Sequence, residues 1–182
     1  MKQNLDLERK IVHAYFILLL IILFFRYSAI KTLPIFFIYL STIILIVHIW
    51  WGAYVSIKYV GEGSNLLLFW NAIMLIVLFG VPFIFESIAE WSLFLGIFFA
   101  LAIVGYFIVY KNVAKRSIKN YIEKKIMYEI IVPPMFLLLY VFFKFFNYYT
   151  AHLVLSIITF LAQIFFAIVL FRIKKVYKLV KS

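Results

Sequence analysis

Residues 92–110 read SLFLGIFFALAIVGYFIVY, nineteen positions without a charge, and the chain then turns at once to Lys111, Lys115, Arg116 and Lys119. As a helix rising 1.5 Å per residue, such a run is about 29 Å long, close to the roughly 30 Å hydrocarbon thickness of a bilayer. Basic residues at the end of a span stay on the cytoplasmic side. This one junction therefore predicts both a transmembrane helix and its direction.

Working outward, five more apolar runs satisfy the same length test. Together they place spans at about 11–27, 33–57, 66–85, 92–110, 130–146 and 150–171. The first and fifth are short and should recruit flanking residues or stand upright. The first is also too long for a signal-peptide core and has no small-residue cleavage site after it, so it reads as a retained helix. Breaks are marked by Pro34 and by the polar stretch 61–65, which contains Glu62. Only residues 147–150 separate the last two runs, which predicts a tight helical hairpin.

The predicted fold is an all-α, polytopic integral membrane bundle: one transmembrane domain over 1–182, with six helices and both termini in the cytoplasm. In that orientation 15 of the 18 basic residues lie inside, in the N-terminal segment, at Lys58, in a basic loop (111–129) and in a basic tail (172–182). Arg26, Lys31 and Lys144 are the three outside. The basic loop has apolar residues near helical spacing, which suits an amphipathic helix against anionic inner-leaflet lipid.

Composition sets the class limits. The chain is 68% hydrophobic and 14% charged, with a mean hydropathy of +1.12. A soluble domain has roughly 45–50% apolar and about 25% charged residues. A net charge of +11 would suit nucleic acid in a soluble protein. Here it sits at span ends, so lipid is the expected partner and nucleic acid is not. The absence of cysteine excludes thiolate ligands, disulfides and a cysteine nucleophile. The aromatic-rich, lysine-rich composition suits a multi-pass protein of a prokaryotic plasma membrane.

Polar side chains near the midplane are functional candidates by default, because hydrocarbon penalises them. Helical rise puts His48 on the second span ~5 Å inward of the midplane and Asn71 on the third ~6 Å inward. They meet if those helices pack, either as an interhelical hydrogen bond or as the lining of a polar cavity, with Gln163 near the centre of the sixth span. Trp70, beside Asn71, could stack on a ligand, although Trp50, Trp51, Trp70 and Trp91 also suit interfacial anchoring. Ser41, Thr42, Ser156 and Thr159 can bond to their own helices' carbonyls.

No resident cofactor is expected. The one prosthetic group that the residues allow is a b-type haem held by His13 and His48. His152 reads as an interfacial, solvated histidine. Outside, Glu86 and Glu90 stand at i, i+4 spacing. They could hold a cation, with solvated carboxylates as the plainer reading. Glu123 and Glu129 should pair with nearby lysines, leaving no acid within the membrane. Gly80 with Pro82, and Pro133 with Pro134, could break their helices, a feature common in binding sites.

No hydrolase, zinc-protease or phosphate-loop motif is present, so a non-enzymatic role is expected. Three roles fit: a small transporter or channel component, acting as a homo-oligomer or with a partner membrane protein; an accessory subunit of a larger membrane complex; or a haem redox protein.

Overall fold

The computed structural model describes residues 2–59, 65–112, 116–146 and 148–179. The loop at 61–64 with Glu62, the stretch 113–115, Asn147 and residues 180–182 lie outside the described residues. The elements are α1 (Lys2–Phe25) with a 3-10 turn (Arg26–Ala29), α2 (Leu33–Tyr59), α3 (Asn65–Leu78), α4 (Val81–Ile84), α5 (Ile88–Asn112), α6 (Arg116–Glu129), α7 (Val132–Phe145) and α8 (Tyr149–Leu179). Leu7–Ala29, Leu33–Tyr54, Ile88–Asn112, Ile122–Phe145 and Tyr149–Ile168 are long and apolar enough to cross a membrane, and Phe69–Ile84 is a shorter apolar helix. The protein is a multi-pass, all-α membrane bundle.

Two passes are discontinuous. The third stops at Leu78, turns through Phe79 and Gly80, and restarts as the short α4 with Pro82 in its first turn. This is where the Gly80–Pro82 pairing predicted a break. The fifth pass is α7 preceded by α6, broken at Ile130 and Ile131. Pro133 and Pro134 have no N–H to give the carbonyls of Glu129 and Ile130, four residues earlier, so the helix cannot run through. The apolar segment thus reaches back to Ile122, and the second half of the expected basic loop belongs to the bundle.

α6 runs antiparallel beside the end of α5. Lys119 lies over the ring of Tyr110 at 5.6 Å and Lys125 over Tyr106 at 4.5 Å, while Ile122 and Ile126 are buried. Ile122 and Ile126 of the apolar stripe on this helix therefore meet protein.

α5 is the central helix, packed on α6, α7, α3 and α4, whereas α2 carries α1 and α8. Close approach explains part of this choice. A Cβ at Gly105 would fall 1.8 Å from the indole Nε1 of Trp70, and one at Gly96 would fall 2.9 Å from Leu137. Glycine at 105 is what lets the Trp70 ring of α3 come this near to α5, and glycine at 96 eases the approach of α7, the small-residue packing usual where lipid gives no hydrophobic drive between helices. Trp91 is fully buried, edge-on to Phe136 at 5.6 Å, so it is not a surface anchor, whereas Trp70 is half-buried.

α8 has the reverse polarity of a soluble helix. Among its residues up to Ile168, the buried ones are Ser156, Thr159 and Gln163, while Val154, Ile158, Leu161 and Phe165 are exposed. Against lipid this arrangement is stable, because the tails solvate the apolar face. Ser41, Thr42 and Thr159 bond back to the carbonyls of Phe37, Ile38 and Leu155 at 2.8–2.9 Å. Ser156 departs from that expectation: its Oγ is buried without a partner.

The last two helices depart from the expected tight hairpin. They are tied near their connection, where His152 Nε2 lies 3.1 Å from the Phe143 carbonyl and the two rings meet edge-on at 5.3 Å. From there α7 follows α5 and α8 follows α2, and a cleft opens between them.

Candidate ligand-binding cleft

The cleft has a volume of about 720 Å³. Its sides are α7, from Val132 to Phe142, and α8, from Leu155 to Phe166, and its back is Leu45 and His48 of α2 with Phe99 of α5. Nearly all of this lining is apolar. The polar side chains on it are His48, Glu129, Thr159 and Gln163, with Tyr128 at the rim. A second cavity of about 60 Å³ lies behind, lined by Gly52, Asn71, Tyr106 and Lys125, among others, and it shares His48, Phe99 and Glu129 with the first.

His48, Asn71 and Gln163, singled out from sequence, thus border two adjoining cavities, with His48 in the wall common to both. No direct hydrogen bond joins His48 to Asn71. The Asn71 Nδ2 is buried without a partner, and neither His48 nor Gln163 has a hydrogen bond to another described residue. Gln163 is only 7% exposed. Three side chains that can each donate and accept are therefore without a hydrogen-bond partner among the described residues around these two cavities, where an unpaired group is costly.

Sequence reasoning missed Glu129 and Lys125 as part of this cluster. Their pairing was expected and is present, at 3.9 Å across one turn of α6. Their position was not, since the bundle was read as free of intramembrane acid. Glu129 lies inside the apolar segment Ile122–Phe145 and lines both cavities. A signal was available: Ile122, Ile126 and Glu129 follow i, i+4, i+7 spacing, so the buried face of α6 carries the carboxylate inward.

The other sequence candidates lie elsewhere. Trp70 packs on Gly105 and lines neither cavity. His13 sits edge-on to Trp50 and Tyr54 of α2, at 5.4 and 5.5 Å. Those positions are about 200° and 240° round the helix from His48 at 100° per residue, so the structure does not bring the two imidazoles together. At the opposite end of the bundle, Glu86 is ion-paired with Arg26. Glu90 accepts from the Ser87 hydroxyl and lies 3.8 Å from Lys144. The two carboxylates that could hold a cation, with solvation as the plainer reading, are thus each engaged by a different base. Among the described residues no group of three or more His, Asp or Glu side chains is placed to hold a metal ion.

Tyr15 adds a contact that sequence did not suggest, donating its hydroxyl to the Leu75 carbonyl and so tying α1 to α3. Set against known protein families, curated proteins and solved structures, the chain matches none of them.

Proposed function

We propose that the chain is a non-enzymatic membrane protein that binds a small molecule within the bilayer, as a transporter or channel component whose site is the double cavity around His48, Asn71, Lys125, Glu129 and Gln163. One observation carries this reading. Polar groups from α2, α3, α6 and α8 converge on two adjoining cavities, and three of them have no hydrogen-bond partner among the described residues. An arrangement serving packing alone would pair these groups with one another, because each unpaired amide or imidazole costs stability in a low-dielectric interior. The concentration of basic residues at this end supports a site in the half of the bundle nearer the cytoplasm.

Gentle extraction followed by native mass spectrometry tests the proposal. Wild-type protein should carry a small molecule that is lost from both His48→Ala and Asn71→Ala variants of equal folded yield. Retention of that molecule by both variants would refute it.

A second reading is an accessory subunit of a larger membrane complex. The open side between α7 and α8 favours it, since a partner's helix could complete that wall. It predicts co-purifying polypeptides and indifference to His48→Ala.

A further inference from the structure

We infer that the occupant of the cleft is a single-chain lipid with an uncharged, hydroxyl-bearing head, admitted sideways between α7 and α8. This rests on the ligand-binding reading of the cavity and names the class of ligand.

The tail follows from the walls. Met135, Leu139 and Phe142 of α7 face Leu155, Ile158 and Ala162 of α8 across the cleft. From Leu155 to Phe166 the cleft extends about 16 Å along α8, the reach of a medium-length hydrocarbon chain. Its volume of about 720 Å³ falls within the roughly 300–1,000 Å³ typical of small-molecule sites and is too small for a diacyl lipid. A water-soluble solute would leave these walls without polar complement.

The head follows from the polar end. Gln163 is nine-tenths buried, lines the cleft and has no partner among the described residues. His48 stands in the same lining, and the buried Asn71 amide lies behind it. Lys125 and Glu129 already neutralise each other at 3.9 Å. A carboxylate or phosphate head would therefore bring a second anion to Glu129, and an ammonium a second cation to Lys125, with no counter-charge left over. A hydroxyl both donates and accepts, which is what an amide and an imidazole require.

The route follows from the packing. α7 and α8 are tied at Phe143 and His152 and otherwise lean on different helices. Leu138, Ile158 and Phe165 at the rim are exposed, so the mouth faces lipid.

The test uses the full-length protein in phosphatidylcholine nanodiscs with a diazirine-bearing long-chain alcohol as probe, adducts being mapped by mass spectrometry. Adducts should concentrate on Met135, Leu139 and Ala162 and be sparse at the outward-facing Phe24 and Ile76. Unlabelled monoacylglycerol of medium chain length should compete at least tenfold better than the fatty acid or the alkane of equal length. Gln163→Leu should lower capture in the cleft about tenfold, the loss expected of one or two hydrogen bonds, and Ala162→Trp should abolish it. Variants are compared only as monodisperse protein.

Uniform labelling of lipid-facing residues, equal competition by the fatty acid, or a polypeptide cross-linked in the cleft would overturn the inference. If the native spectrum instead shows a water-soluble solute that His48→Ala loses, the lipid inference fails while the ligand-binding reading stands. If no small molecule of any kind depends on His48, Asn71 or Gln163, both fail.

Discussion

Lys125 and Glu129 face each other at 3.9 Å on the side of α6 that Ile122 and Ile126 bury against α5. An ion pair so placed gives little net stability, because desolvating both ions offsets their attraction. Breaking it is different. Removing one partner leaves an uncompensated charge beside the cavities.

Lys125→Met and Glu129→Leu are each expected to destabilise the bundle by about 3–5 kcal/mol, whereas the double variant should recover most of the loss. Thermal unfolding in a single detergent checks this through a double-mutant cycle. A double variant no better than the worse single one would show that the two charges do not depend on each other.

Gly105→Ala should be the most damaging single-methyl change in α5. The new Cβ would sit 1.8 Å from Trp70 Nε1, whereas at Gly96 the nearest atom is the flexible Cδ2 of Leu137 at 2.9 Å. Overpacking costs about 1–3 kcal/mol, so Gly105→Ala should lower the melting temperature clearly more than Gly96→Ala. Combining it with Trp70→Ala should restore part of the loss, a rescue that a purely local helix effect would not show.

The ion pairs at the opposite end should matter little. Arg26 with Glu86, and Lys144 with Glu90, are partly exposed, and such pairs contribute about 0–1 kcal/mol. Arg26→Ala and Lys144→Ala are expected to shift unfolding by a degree or two at most, an effect that fades in high salt. Because both carboxylates are engaged, millimolar calcium should leave the wild-type melting temperature unchanged. A saturable calcium shift abolished by Glu90→Gln would contradict that expectation.

Orientation can be read directly, because the chain contains no cysteine. Single cysteines at Lys10, Lys119 and Lys144 should divide cleanly when probed with an impermeant maleimide. The first two should label from the cytoplasmic face and the third from the other. Labelling of Lys10→Cys and Lys144→Cys from one face would disprove the odd number of crossings between them and, with α8 as one crossing more, the termini's shared side.

The position of Glu129 shows how legible the site was. His48, Asn71 and Gln163 stood out because each interrupts an apolar run, and polarity in such a run is visible residue by residue. Glu129 did not, because it follows a lysine-rich stretch that reads as a loop until α6 is seen to pack on α5. The break at Gly80 and Pro82 was visible in the same local way, since proline and glycine act on their own backbone.

By itself, then, the sequence determined the membrane class, the apolar passes, the charge asymmetry between the two ends and the discontinuities. Each of these depends on local length, charge or backbone chemistry. Only the tertiary structure decided which helices touch. Lipid tails are as apolar as the leucines and phenylalanines they meet, so hydrophobicity cannot tell an inward face from an outward one. That choice falls to fit and hydrogen bonding: Trp70 against Gly105, the polar edge of α8 turned inward, and α7 and α8 parted around the cleft that Gln163 and His48 line.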